Sequence, residues 1–289
     1  MRTLSKKGGD EKIMNNKFKK IIEQKKKEKN STKSKTSKKK DGISKIPKEK
    51  MVKKIKKQIL NNANIDPLYQ GCSFSNFDET VLSENNLRPY RKLIKYTDDI
   101  GTAMTLPQSV YLLSEYPGIG KTHMAVSILK QAAHKIAEKE YENNEVVKYG
   151  VNRRTVTWTP IYFINVSEGL LDIKNDYSKN GVDFKQSQIY KKVKSARLVV
   201  LDDIFNETRY TPFVLETLYY WVDYRLKNNL ATIFTSNNNF EIFLRDETSP
   251  INDERLKTIA RNTASRVSKM VKNYKLFFKS SPETDYRQR

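Results

Sequence analysis

The sequence predicts an α/β domain with a mainly parallel, five-stranded sheet behind a disordered basic tail. Three observations carry that expectation. From residue 110 onward, short runs of Val, Ile, Leu and Phe alternate with longer segments of helical periodicity, the pattern of parallel strands joined by crossover helices. A glycine-bearing loop, Pro117-Gly-Ile-Gly-Lys-Thr122, stands between the first such run and the first long helix. The charge is lopsided: residues 1–60 carry 23 Lys+Arg and 6 Asp+Glu, a net +17 of the chain's +22, which leaves +5 for residues 61–289.

At 289 residues and 37% hydrophobic content, the chain can bury a core in one large domain or two small ones. A single cysteine, Cys72, excludes an internal disulfide framework and a cysteine-built zinc site. Two histidines, His123 and His134, cannot build a multi-histidine metal centre. The longest purely aliphatic stretch, Leu198–Leu201, falls far short of the ~20 residues of a membrane span, and the N-terminus lacks the apolar core of a secretory signal. The expectation is a soluble, cytoplasmic protein with no membrane partner.

Taken in order, residues 1–46 are Lys-rich and low in apolar anchors, so they cannot offset their ordering entropy and are expected to be disordered. Met51, Val52, Ile55 and Ile59 recur at helical spacing after Pro47, which suits a helix start, and predict a short amphipathic helix over 47–61. That helix either docks on the domain or meets a partner or nucleic acid. A turn-rich connector runs from Asn61 to Asp78. Strands are expected at Val110–Ser114, Ile161–Val166, Leu198–Leu201, Thr232–Thr235 and 275–278, and helices over 121–139, 184–195, 212–228 and 252–271.

The loop after the first strand reads Glu115-Tyr-Pro-Gly-Ile-Gly-Lys-Thr122. Such a loop exposes successive backbone N–H groups, and the helix N-terminus behind it adds positive dipole character. Gly118 and Gly120 allow close backbone approach, Lys121 suits the β- and γ-phosphates, and Thr122 suits Mg²⁺. Pro117, Gly118, Ile119, Gly120, Lys121, Thr122 and His123 are the expected ATP-binding segment. Glu115 replaces the first glycine of the G-x-x-x-x-G-K-[ST] pattern. Arg197-Leu-Val-Val-Leu-Asp-Asp203 adds a buried strand ending in two acids, where ligands bind in open α/β sheets. Asp202 is expected to hold Mg²⁺, and Asp203 to orient the nucleophilic water. In Ala231-Thr-Ile-Phe-Thr-Ser-Asn237, a third strand delivers the uncharged Asn237 toward the γ-phosphate.

In this order the motifs resemble the DnaC/IstB-like branch of the AAA+ ATPases, helicase loaders related to the initiator DnaA. The set is IDPLYQGCSFSNFD, PGIGKTHMA, LVVLDDI, a YWVDYR helix, ATIFTSN, SRVSKM and a final DYR, over about three quarters of the chain. The resemblance implies a three-layer α/β/α sandwich that assembles into a ring or spiral. It divides the chain into a tail (1–46), a helix and linker (47–63) and an AAA+ ATPase domain (64–289). Lys121 and Thr122 then look like Walker A, Asp202 and Asp203 like Walker B, and Asn237 like sensor 1. Arg266 in SRVSKM resembles the arginine finger that reaches a neighbour's ATP, with Arg261 its nearest competitor. Arg287 resembles sensor 2. Asp203 stands where many AAA+ proteins carry Glu.

The loop after the second acid, Phe205-Asn-Glu-Thr-Arg-Tyr210, resembles a stretch that faces single-stranded DNA in some loaders. There Arg209 suits phosphate, and Tyr210 offers a stacking face or else covers the sheet edge. Lys185, Lys191, Lys192 and Lys194 form a basic helix face, and the tail's lysines give sequence-independent phosphate affinity that salt erodes. The function implied is an ATP-dependent loader of a replicative hexameric helicase, with MgATP, single-stranded DNA and self-assembly as its partners. The rivals are a transposition-helper ATPase of the same superfamily and a weakly hydrolysing, nucleotide-binding DNA adaptor.

Overall fold

Five parallel strands form the sheet, in the order β2-β3-β4-β1-β5: β1 (Val110–Leu113), β2 (Ile161–Asn165), β3 (Leu198–Asp202), β4 (Ala231–Ser236) and β5 (Lys275–Phe277). The computed structural model describes residues 47–143, 159–180, 184–207, 209–281 and 285, which fall in one compact unit beginning at Pro47. The tail over 1–46 and Arg287 lie outside the described residues. β1 to β4 are fully buried apart from Asn165, as strands covered on both faces should be. The register sets Val110 against Ile233, Leu112 against Leu276, Phe163 against Val200 and Val199 against Thr232.

Helices cover the sheet on both sides, giving the expected three layers. Tyr111, Leu113, Tyr162, Ile164, Val199, Leu201 and Phe234 point into one core with the later helices α5 (Val166–Asn180), α6 (Gln188–Ser195), α7 (Pro212–Lys227) and α8 (Glu254–Met270). Strand alternation turns Val110, Leu112, Ile161, Phe163, Val200 and Ile233 to the opposite face. There α4 (Lys121–Asn143) buries Met124, Ala125, Ile128, Leu129, Ala132, Ala133, Ile136 and Ala137. The ends of these helices follow from local chemistry. Thr211 caps α7 by accepting from Val214 N at 3.3 Å, with Pro212 in the first turn. Asp253 caps α8 by accepting from Leu256 N at 2.9 Å.

The amphipathic helix expected after Pro47 is α1 (Lys48–Asn61), whose Met51, Val52, Ile55 and Ile59 are buried against α4. Its docking reading therefore holds. The connector behind it forms two short 3-10 turns, and Phe163 N of the edge strand β2 donates to Ala63 O at 2.8 Å.

Several boundaries differ from expectation. α4 runs four residues past 139 because Tyr141 extends its buried face. The helix expected over 184–195 is a 3-10 turn, Phe184–Gln186, followed by α6, since Ser187 interrupts it. Val166 begins α5 rather than closing β2. Three helices were not among those expected: α2 (Glu84–Asp98), α3 (Ile100–Thr105) and α5. Pro89 lies inside α2 and reads as a breaker in sequence, yet the helix continues through it and buries Tyr90, Leu93 and Tyr96.

Candidate functional site

All five strands are parallel, so their C-terminal ends share one edge of the sheet, where ligands bind in open α/β folds. β1 delivers Ser114 and the loop, β3 ends in Asp202, and β4 delivers Ser236 and Asn237. The register sets Leu113 opposite Ser236 and Asn165 opposite Asp202. Residues far apart in sequence thus meet here.

The loop turns on Gly118 and Gly120, with φ of +92° and +89°, a backbone region closed to most side chains. Neither position has room for a Cβ. At Gly120 it would lie 2.6 Å from the ring of Phe77, and at Gly118 it would strike Asp285. Ile119 anchors the loop in the core, and Tyr116 N donates to Ser280 Oγ at 2.9 Å. The chain after β5 is itself fixed: Lys279 N donates to Asn86 Oδ1 at 2.7 Å, and Asn86 Nδ2 to Lys279 O at 2.8 Å. The segment after β5 therefore runs along the loop.

Lys121 is buried at the start of α4 and donates to Ser114 Oγ at 2.7 Å and to Asn237 Oδ1 at 2.6 Å. Thr122 Oγ1 donates to Asp202 Oδ1 at 3.0 Å, and Thr235 Oγ1 donates to the same oxygen at 2.7 Å. Asp203 N in turn donates to Thr235 Oγ1 at 2.9 Å. One hydroxyl therefore ties both acids. Burial pushes the Asp202 carboxyl up to about 6; the hydrogen bond from Thr235 opposes it, Asp203's charge adds to it, and Thr122 and Lys121 work downward.

Asp203 has φ +57° and Phe205 φ +64°, so the chain turns sharply as it leaves β3. Asp tolerates this left-handed region better than most residues. Asn206 Nδ2 donates to Asp203 Oδ1 at 3.1 Å, and Asn238 Nδ2 donates to Phe205 O at 2.8 Å, which fixes the turn against β4. The Thr122 hydroxyl beside the Asp202 carboxylate is a hard oxygen donor set of the kind Mg²⁺ takes together with substrate phosphates. No cluster of three or more His, Cys, Asp or Glu suited to a metal occurs among the described residues, and a Mg²⁺ shared with phosphates needs none.

Pro117 to Thr122, Asp202, Asp203 and Asn237 thus lie together at one edge. His123 is engaged with the connector: its Nε2 lies 2.8 Å from Ser73 O and 3.2 Å from Ser73 N, and its ring meets Phe77 edge-on. Arg266 is held by α7. Its Nε donates to Asp223 Oδ1 at 2.7 Å, its guanidinium to Tyr219 OH at 3.0 Å, and its plane lies 4.6 Å from the Tyr219 ring. Arg261 pairs with Asp246. Arg209 is exposed, whereas Tyr210 donates to Phe205 O at 2.7 Å and packs edge-on against Phe243, so its ring covers the core. On the basic helix face, Lys192 lies over Tyr162 and Lys194 over Tyr224.

Sequence reasoning missed Ser114, Thr235 and Asn238, although the Thr-Ser-Asn run contained a signal for Thr235. Side-chain alternation, carried one residue past the end of β4, puts Thr235 and Asn237 on the same side. Phe77 and Asp285 lie in the SNFD and DYR stretches but were given no role, and Ser280 left no local signal, because only the tertiary fold brings the three to the loop.

Comparison with known proteins finds the likeness that the motifs carry, to DnaC helicase loaders. It is 23% identical to the replicative helicase loader DnaC of Escherichia coli K12 over 183 residues, which is 63% of this chain and 61% of that protein. The chain thus spans less than two thirds of the curated relatives it matches. Among solved structures, it is similar to the DnaC helicase loader, at 19% identity over 74% of this chain and 99% of that one, with a TM-score of 0.49. It is also similar to DnaI, at 14% identity over 78% and 95% of the two chains, with a TM-score of 0.49. No protein-family model matches the chain.

Proposed function

We propose that this protein is an ATP-dependent loader of a replicative hexameric helicase. The observation that carries the reading is the meeting of Lys121, Ser114 and Asn237 beside Thr122, Asp202 and Thr235 at one sheet edge. A buried ammonium next to a glycine-turned loop and a helix N-terminus fits a polyphosphate. Lys121 binds the β- and γ-phosphates there, exchanging Asn237 Oδ1 for phosphate oxygen, and Asn237 is left beside the γ-phosphate. Thr122 and Asp202 hold Mg²⁺, which supplies neutralisation of phosphate charge when bound. Asp203 orients the attacking water, its position set by the turn that Asn206 and Asn238 fix. Glu115 lies at the loop's edge without displacing this arrangement.

Arg266 supplies the charge that completes a neighbour's site. It leaves its contact with Asp223 and Tyr219 when two copies assemble, so hydrolysis is low in the isolated chain. Arg209 contacts the phosphates of single-stranded DNA. Tyr210 contributes by holding the loop on Phe243 rather than by free stacking.

A loading assay tests the function. A hexameric replicative helicase should be placed on protein-coated, closed circular single-stranded DNA only with this protein and ATP, as read by strand displacement from a primed circle. Turnover unaffected by single-stranded DNA, with no helicase delivered, would favour the weakly hydrolysing adaptor.

A further inference from the structure

A groove of about 580 Å³ runs along α1 beside the connector, away from the residues proposed for nucleotide. Lys53, Lys56, Lys57 and Lys130 line it, with Leu60 and Ile65 as apolar wall. Among the described residues that line it, no carboxylate occurs. α1 carries six lysines and one acid, Glu49, and Lys48 is spent on Glu142 at 3.0 Å. Lys53, Lys56 and Lys57 have no ion-pair partner among the described residues. Lys130 is anchored from the α4 side, donating to Cys72 O at 2.6 Å and to Gln70 O, so its ammonium is fixed in place.

Burial holds the Lys130 ammonium below the ordinary lysine value; Cys72 works against this, and Lys56 adds a smaller push downward. Four like charges converge where the apolar face of α1 is already used on α4, so the outward face owes nothing to packing. Lysines three and four residues apart stand one above the other on a helix, on the order of 5–6 Å between neighbours. A ladder of fixed and mobile ammonium groups suits a repeating anion better than a single one.

We infer that the lysine-lined groove of α1 is a binding track for the phosphate backbone of single-stranded nucleic acid, distinct from the Arg209 loop. Charge complementarity favours a polyphosphate chain. So does the sequence just ahead of α1, whose lysine runs have the same sequence-indifferent affinity for phosphate. The uncharged wall of Leu60 and Ile65 accepts sugar and base edges without selecting among them. The track is independent of nucleotide hydrolysis, so it is measured without ATP, and its failure leaves the proposed ATPase untouched.

The test uses the full chain and a fluorescein-labelled mixed-sequence 25-nucleotide single strand. Lys53→Ala/Lys56→Ala/Lys57→Ala should reduce the slope of log K against log salt by ~2, at about 0.7 per lost phosphate contact. The control triple Lys92→Ala/Lys95→Ala/Lys272→Ala, lysines outside the groove, should leave the slope within error. In the wild-type chain, the oligonucleotide should protect Lys53, Lys56 and Lys57 from acetylation several-fold more than Lys92 and Lys95. Equal slope losses in the two triples, or no differential protection, overturn the track. Protection by polyglutamate but not by the oligonucleotide overturns it in favour of an acidic protein partner.

Discussion

The ammonium of Lys121 and the carboxamide of Asn237 are joined directly, Nζ to Oδ1 at 2.6 Å, across 116 residues of sequence. The contact links the loop after β1 to the end of β4, the two strands that neighbour each other in the sheet. A group that binds Lys121 therefore changes the setting of Asn237, and in the proposed function this contact would let Asn237 sense a terminal phosphate. Asn237→Ala should leave affinity for an ATP analogue within a few-fold and lower turnover on the order of 10²-fold. Equal loss in affinity and turnover would assign Asn237 to binding alone.

Thr235 is the hinge of the acidic pair, donating to Asp202 and accepting from Asp203 N. Thr235→Val keeps shape and removes both bonds, leaving a buried carboxylate short of a donor. A stability loss of about 1–3 kcal/mol is expected from urea unfolding. Thr235→Ser should recover most of it.

Asp203→Asn should bind the analogue normally and lose turnover by roughly 10²–10⁴-fold. Its φ of +57° is tolerated by Asn, so stability should stay within about 0.5 kcal/mol of wild type. Asp203→Val loses activity and also unfolds earlier, because a β-branched residue is strained there. Matching denaturation midpoints for the Asn and Val variants would show that the turn is not what selects the residue.

Arg266 and Asp223 give a pH signature. Burial of the Asp223 carboxyl works upward, but hydrogen bonds from Lys227 and Arg266 outweigh it and hold the group below its ordinary value of 3.8. A lowered carboxylate contributes stability above that ordinary value and loses it as pH falls through the folded value. Wild type should therefore lose stability more steeply than Asp223→Asn below about pH 4, as read by thermal melts across pH 2.5–6. Parallel profiles would mean that the pair is not formed in solution.

Much of this site is legible in the sequence because its parts are local. The glycine turn, Lys121 and Thr122 follow one another at the strand-to-helix junction, and Asp202 and Asp203 end a run too apolar to be anything but a buried strand. Periodicity likewise marks α1 by Met51, Val52, Ile55 and Ile59. What could not be read is set by distance. Ser280 meets Tyr116 across 164 residues, and Asn86 meets Lys279 across 193. α2 was hidden by Pro89, which reads as a breaker although the buried Tyr90, Leu93 and Tyr96 beyond it belong to the same helix. The Asp223 partner of Arg266 lies on a different helix, so periodicity assigns the arginine a face but not an anchor.

A trans role for Arg266 is separable from a local one. Arg266→Ala should bind ATP nearly normally and hydrolyse it 10³–10⁵-fold more slowly if the guanidinium meets a transferring phosphoryl group. Mixing it with Asp203→Asn creates interfaces that pair an intact acid with an intact arginine. Turnover should partly recover and rise with total concentration. Mixtures that co-assemble yet stay inactive would point to Arg261 instead.

The measurement closest to the central claim is equilibrium binding of a fluorescent ATP analogue, with Mg²⁺, to wild type and to Lys121→Ala. The account predicts saturable binding by wild type and a loss of at least tenfold in affinity for the variant, with an unchanged melting temperature without nucleotide. Wild-type affinity in Lys121→Ala, or no binding by either protein, would contradict it.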